Sequence, residues 1–172
     1  PEISFDAEGG CGHCRQYDRL VRTWARGGET GRRLLTALAD RIRRAGRGQA
    51  YDCLIGVSGG VDSTYVALTV KRLGLRPLAV HLDNGWDDEI AVKNIENILN
   101  KLGIELYTHV IDWEEFRDLQ LAFLRASTPD SEIPSDHAIA SLLFETARRR
   151  KINYILTGYN LRTESHLPKA WS

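Results

Sequence analysis

From residue 51 onward the chain alternates short apolar runs with longer stretches of helical spacing, and that alternation limits the folds open to it. Residues 53–57 form a run suited to a strand buried on both faces. Residues 77–82, 106–111 and 154–157 are three more runs that read as strands. Between them, residues 63–73, 88–102, 113–125 and 136–150 read as helices. The 88–102 stretch is the clearest: Ala91, Ile95, Ile98 and Leu102 share one helical face, and Gly103 follows. Strands joined by helices of about a dozen residues imply right-handed βαβ units. The expected fold class is therefore α/β, a parallel sheet flanked by helices on both faces. Ligands in such sheets bind beyond the carboxyl ends of the strands. Small and polar residues gather at those ends: Ser58-Gly59-Gly60, Asp83-Asn84-Gly85, Asp112, and Gly158-Tyr159-Asn160.

The first 50 residues are different. Residues 1–28 are rich in Gly and Arg, with little periodicity, and hold Cys11-Gly12-His13-Cys14. Residues 29–46 read as a helix, with Leu35, Leu38, Ile42 and Ala45 on one side. Arg41, Arg43 and Arg44 load its C-terminal half, where the helix dipole favours cations. The expected organisation is a small Cys-containing segment (1–28), a linking helix (29–50) and a nucleotide-binding domain (51–172). The chain starts at Pro1 rather than Met and ends at Ser172 without a closing element, so a piece of a longer protein is expected.

Composition narrows the function classes. There are 23 basic and 23 acidic residues and a net charge of +0, which argues against a protein that wraps nucleic acid by bulk electrostatics. Residues 1–50 carry ten basic and six acidic groups, too small an excess to name a partner. No run of about 18 apolar residues exists to span a membrane. Three cysteines make no disulfide framework and suit a reducing cytosol.

The hexapeptide Ser58-Gly59-Gly60-Val61-Asp62-Ser63 carries the most specific chemistry. Two glycines let the backbone turn tightly and come close to a ligand. The helix expected to begin at or near Ser63 would present free N–H groups and its positive dipole end, a ready anion site. Ser58 and Ser63 add hydroxyls, and Asp62 offers a hard oxygen ligand for a Mg²⁺ that neutralises phosphates. The blander alternative is a Gly-Gly turn with an ordinary helix cap. No Gly-Lys-Ser/Thr follows, so this is not a Walker loop.

The hexapeptide resembles the PP-loop signature, Ser-Gly-Gly-x-Asp-Ser, of the ATP pyrophosphatase superfamily, whose fold is Rossmann-like. The resemblance implies cleavage of ATP between its α and β phosphates, with Val57 through Ser63 holding the nucleotide. It also implies that Leu82 packs on the adenine ring, beside Asp83, and that Gly158 lets the backbone pass close to the ligand.

Over nearly its whole length the chain resembles the N-acetyl sugar amidotransferases of bacterial surface-polysaccharide (lipopolysaccharide) biosynthesis. The residues that carry this are His81-Leu82-Asp83-Asn84-Gly85-Trp86, Pro134-Ser135-Asp136-His137, and Thr157-Gly158-Tyr159-Asn160-Leu161-Arg162-Thr163-Glu164. The implied activity is ATP-dependent conversion of the acetamido group of a nucleotide-linked N-acetyl sugar to acetamidino. Asp62, Asn160 and Glu164 are its expected catalytic residues. Ammonia would come from a separate glutaminase with a cyclase-like subunit. Alternatives are a PP-loop tRNA-modifying enzyme of the thiolation or lysidine type, and a non-catalytic adenine-nucleotide-binding module.

Cys11 and Cys14 have the spacing of a zinc knuckle, but a second pair is needed. The resemblance implies that it lies upstream of Pro1. A redox pair is the less favoured reading, because no helix is expected to start there after a strand. Asp112 and Asp136 are candidate helix caps, and residues 148–151 a basic last helical turn. Trp86 is the tryptophan best placed to stack on a base or sugar; the other three are expected in the core.

Overall fold

The computed structural model describes residues 3–159. They form two compact units, one running Thr36–Gly158 and the other holding residues 3–35 and Tyr159. The division falls within a helix rather than at the end of one.

In the smaller unit, Phe5 and Cys11 make an isolated antiparallel bridge, and α1 (Gly12–Trp24) follows at once. Asp6 Oδ1 accepts the Gly10 N–H at 2.6 Å, and Asp6 Oδ2 pairs with Arg15 at 2.6 Å. This helix was not expected. Tyr17, Leu20, Val21 and Trp24 lie at helical spacing, which is the signal that would have found it. None of its residues is buried.

Next comes α2 (Gly28–Ala45), whose second half belongs to the larger unit. Its buried stripe is Ala39 and Ile42 with Leu38 beside them, whereas Leu35 and Ala45 are exposed. The larger unit continues β1 (Cys53–Gly56), α3 (Val61–Arg72), β2 (Pro77–Asp83), α4 (Glu89–Leu102), β3 (Glu105–Val110), α5 (Trp113–Arg125), α6 (Ile133–Arg150) and β4 (Ile155–Leu156). The strands form one sheet in the order β3-β2-β1-β4, and every pair is parallel. Gly56 is in register with Val80, and Asp83 with Val110, so the carboxyl ends of β1, β2 and β3 come out side by side.

Alternation along the strands builds a core on each face. Ile55, Val57 and Ala79 pack with Ala67 and Val70 of α3, Ile95 and Leu99 of α4, and Ile42 of α2. Leu54, Leu78 and Val80 pack against Leu143 and Ala147 of α6. A large aliphatic side chain taken fully out of water contributes about 1.5–3 kcal/mol, and Leu54, Ile55 and Leu78 are all at 0% exposure. The expected fold class, a parallel sheet with helices on both faces, is what the chain adopts.

The amino end of the sheet is tied by Asp52. Its carboxylate accepts the Arg76 N–H at 2.8 Å and the guanidinium at 2.7 Å, while the same guanidinium donates to the carbonyls of Gly46 and Gln49. Burial pushes the Asp52 carboxyl up, but the Arg76 bonds outweigh it and hold the group below its ordinary value.

Several local expectations change. α3 begins at Val61, with Gly60 as its N-cap. α6 begins at Ile133, so Asp136 lies inside the first turn and is not the cap; Pro134 at the helix start presets the backbone angle there. Asp112 does cap α5, accepting the Glu115 N–H at 3.0 Å. Arg148, Arg149 and Arg150 do fill the last turn of α6. Trp24 (68% exposed) and Trp113 (40%) are not core residues.

Candidate active site

The loop between β1 and α3 is built to leave a helix N-terminus open. Gly60 has no side chain to cap α3, and the first intrahelical bond is Thr64 N–H to the Gly60 carbonyl at 3.1 Å. The N–H groups of Val61, Asp62 and Ser63 precede it and point out of the helix end. Gly59 has φ +73°, and a Cβ there would lie 2.4 Å from the Ala91 carbonyl oxygen. Only glycine lets this loop lean against the start of α4. Asn94 of α4 adds a long side-chain hydrogen bond to the Gly59 carbonyl, 3.4 Å.

The two loop serines differ in role. Ser63 is buried, and its hydroxyl accepts the Ser58 N–H at 3.3 Å and lies 3.2 Å from the Gly60 carbonyl and 3.3 Å from the Ser58 hydroxyl. Ser63 therefore shapes the loop from inside. Ser58 and Asp62 are exposed. Among the described residues no lysine or arginine pairs with Asp62, so its carboxylate is available to a cation.

Neighbouring strands close the site. Val57 donates its N–H to the Val80 carbonyl at 3.0 Å, and its own carbonyl meets the ring of buried His81 at 3.0 Å. The other His81 nitrogen faces Asp87 Oδ2 at 3.3 Å. Gly158, just past β4, approaches the loop closely: a Cβ on it would stand 3.1 Å from the Asp62 carbonyl carbon and 3.2 Å from the Ser63 nitrogen. Leu82 is buried and lines a cleft of about 420 Å³ between β2, β3 and α6, with His109, Ile111 and Leu142. A second cleft of about 360 Å³ runs from Gly59 and Gly60 between α3 and α4, past Asn94 and Asn97 to Lys101.

The loop thus gathers Val57, Ser58, Gly59, Gly60, Val61, Asp62, Ser63 and Gly158, with Leu82 and Asp83 at the next strand end. Asn160 and Glu164 lie outside the described residues. Sequence reasoning missed His81, Asp87 and Asn94 as parts of the site. Their role depends on tertiary contacts for which no local spacing gives a signal.

The donor set at the loop fits ATP with Mg²⁺: free N–H groups at a helix start for phosphate, and an unpaired carboxylate beside them for a hard dication. Among the described residues the ligand set for zinc is incomplete. Cys11 and Cys14 supply two sulfurs 3.3 Å apart, and no group of three or more ligating side chains exists among the described residues. The pair does start a helix: Cys11 is the N-cap of α1 and its sulfur accepts the Cys14 N–H. That bond, with the Cys14 thiol, holds Cys11 below its ordinary value, and the same contact raises Cys14. The expectation that no helix starts there is corrected, but what precedes the helix is an isolated bridge and not a strand.

A parallel α/β sheet with Ser-Gly-Gly-x-Asp-Ser at the open N-terminus of the helix after its first strand defines the PP-loop ATP pyrophosphatase class. Within that class, a family model for NAD synthase matches residues 32–153, well over half of the chain, and the chain belongs to this family. Among curated proteins, it is 29% identical over 120 residues to the tRNA-specific 2-thiouridylase MnmA of Limosilactobacillus reuteri (strain DSM 20016), covering 62% of this chain and 32% of that protein. The Streptococcus pyogenes serotype M1 enzyme of the same name is 30% identical over 120 residues, with the same coverage. The chain thus spans about a third of the length of these relatives. Among solved structures, the U34-tRNA thiolase NcsA of Methanococcus maripaludis, solved with its [4Fe-4S] cluster, superposes with a TM-score of 0.50 at 14% identity. That match covers 73% of this chain and 46% of the other, and shows the shared fold. No helix among the described residues is long and apolar enough to cross a membrane.

Proposed function

We propose that the protein is an AMP-forming adenylating enzyme that activates an N-acetyl group of a nucleotide-linked sugar for attack by ammonia. The observation that carries the adenylating part is the uncapped start of α3 behind Gly59 and Gly60, with Asp62 exposed on its first turn. Those N–H groups would hold the β and γ phosphates, and Asp62 would hold Mg²⁺. The dication supplies charge neutralisation as the bond between the α and β phosphates breaks.

The chemistry needs such activation because an amide carbonyl is a poor electrophile. Its oxygen attacks the α phosphorus and pyrophosphate leaves. Ammonia then adds to the resulting imidate carbon, a proton is lost, and AMP departs with the former carbonyl oxygen. The chain's contribution is placement and electrostatic stabilisation. Asn160 and Glu164 are assigned to the acceptor side. Ammonia is assigned to a separate glutaminase with a cyclase-like subunit.

The acceptor is supported by the Asp83-Asn84-Gly85-Trp86 and Pro134-Ser135-Asp136-His137 segments. A second reading, modification of tRNA by sulfur or amine transfer, is supported more directly by the named relatives than the sugar reading is. Incubation of a panel of nucleotide N-acetyl sugars with ATP and ammonium, read by mass spectrometry, separates the two. Replacing oxygen by NH lowers the product mass by about one unit, as expected of the adenylation and displacement steps. Tight, salt-sensitive binding of bulk tRNA, with no change in any sugar, selects the second reading. Absence of both AMP and pyrophosphate with every acceptor would leave a nucleotide-binding module.

A further inference from the structure

We infer that Trp86 and Trp113 form the platform on which the pyranose ring of the acceptor lies, an inference that rests on the sugar acceptor proposed above. The two indoles meet edge to face, with centroids 5.4 Å apart and planes at 74°. Trp86 is 65% exposed and Trp113 is 40% exposed. Two large aromatic rings left open to water at a strand end forgo the stabilisation that burial would give.

Their exposure is not looseness. Asp83 Oδ1 accepts the Gly85 N–H at 3.0 Å, and Asn84 Oδ1 accepts the Trp86 N–H at 3.1 Å, two successive side-chain turns. The Trp86 indole N–H donates to Gln120 Oε1 of α5 at 2.7 Å. Gly85 has φ +82°, and a Cβ there would run into the Trp113 ring at 2.8 Å. The Ile111 N–H bonds the Asp83 carbonyl at 3.0 Å, which fixes the start of α5 to the end of β2. The pair is held rigid before any ligand arrives, so a ring that lies on it loses little freedom of the protein's own.

The platform stands beside the phosphate loop. Residues 82–90, Trp86 among them, run between two contacts with it: the His81 ring meets the Val57 carbonyl and also faces Asp87, and Ala91 abuts Gly59.

The surrounding charge selects the ligand. Asp83, Asp87, Asp88 and Glu89 flank Trp86, and Asp112, Glu114 and Glu115 flank Trp113, while residues 77–92 and 102–116 contain no lysine or arginine. Carboxylates accept hydrogen bonds from hydroxyls and repel phosphates. An indole face beside carboxylate acceptors suits a neutral, hydroxyl-bearing ring, whose C–H side meets the indole and whose hydroxyls meet the oxygens. A phosphate laid on the pair would meet repulsion on both sides, so it is the sugar ring of the nucleotide-linked acceptor, and not its phosphates, that lies there.

The test is saturation-transfer NMR with UDP-N-acetylglucosamine and, separately, ATP, on the wild type and on Trp86→Ala, Trp86→Phe and Gln120→Leu. The pyranose and acetyl protons should take up saturation in the wild type. Trp86→Ala should weaken sugar binding about tenfold, as for a lost aromatic contact, Trp86→Phe should restore most of it, and the adenine signals of ATP should not change. Loss of the adenine signals in Trp86→Ala would assign the platform to the nucleotide and overturn the inference. So would sugar binding that is unchanged in both Trp86→Ala and a Trp113→Ala variant. Acetamidine formation by Trp86→Ala at the wild-type KM keeps the amidotransferase reading and removes this one. Trp86-dependent sugar binding without any acetamidine product does the reverse.

Discussion

Nδ1 of His81 lies 3.0 Å from the Val57 carbonyl oxygen, and this contact joins β2 to the residue that leads into the phosphate loop. A carbonyl only accepts, so Nδ1 carries the proton. The ring is buried, and its other nitrogen faces Asp87 in the loop that leads to α4. One imidazole therefore spans the two loops that frame the site.

His81→Leu should leave the Val57 carbonyl and Asp87 without their ring partner. The expected cost is about 1–3 kcal/mol, the usual range for stranding a buried polar group. His81→Asn keeps a donor on that side and should recover part of the loss. Urea unfolding of the three proteins measures it, and equal midpoints would remove His81 from the account.

Gly59→Ala should be more damaging than its size suggests. The position is left-handed, and the added methyl carbon would meet the Ala91 backbone. The loop must shift away from α4, so ATP binding should fall while the distant cores survive. Calorimetric titration with ATP, paired with a melting curve, checks both halves. Ala substitution at Gly103, also left-handed but with nothing within 4 Å, is the control for backbone strain alone.

Arg76→Ala should destabilise the sheet, because it removes the guanidinium from the buried Asp52 carboxylate and leaves it only the residue 76 backbone N–H. The pH dependence follows from the lowered carboxyl of Asp52. In the wild type its contribution is whole above the ordinary value of 3.8 and fades as the pH falls through the lower folded value. In Arg76→Ala the guanidinium's share is lost, while burial, the residue 76 backbone N–H and the Arg43 charge remain, so that contribution shrinks. Urea midpoints from neutral to acid pH should show the wild-type advantage shrink on acidification.

Iodoacetamide should label Cys11 first and leave Cys53 untouched in the folded protein. Burial pushes the Cys53 thiol up to about 12, whereas the Cys14 N–H stabilises a Cys11 thiolate. Peptide mapping after a short exposure reads the order, and early labelling of Cys53 would contradict the buried β1.

Much of this fold is written in local sequence. Residues 53–57, 77–82 and 88–102 show strand and helix periods because both faces of β1 and β2, and one face of α4, are buried. α1 is harder to read, because its Tyr17, Leu20, Val21 and Trp24 spacing lies in a Gly- and Arg-rich segment and none of its residues is buried. The start of α6 was misplaced because Asp136 mimics a cap, while Pro134 sets the true beginning. In the site, the loop from Ser58 to Ser63 was legible as a motif, since one strand-to-helix junction contains all of it. The inward turn of the Ser63 hydroxyl, the His81 link and the Asn94 contact were not. Each depends on residues from another strand or helix, set in place by the sheet register.

The most direct test of the central claim is the nucleotide product. Chromatography of the protein's reaction with ATP, Mg²⁺, ammonium and a nucleotide N-acetyl sugar should show AMP and pyrophosphate in equal amounts. Asp62→Ala, at an exposed position, should lose at least about a hundredfold of that rate with an unchanged melting curve. ADP and inorganic phosphate as the products, or an Asp62→Ala variant that forms AMP at the wild-type rate, would contradict the account.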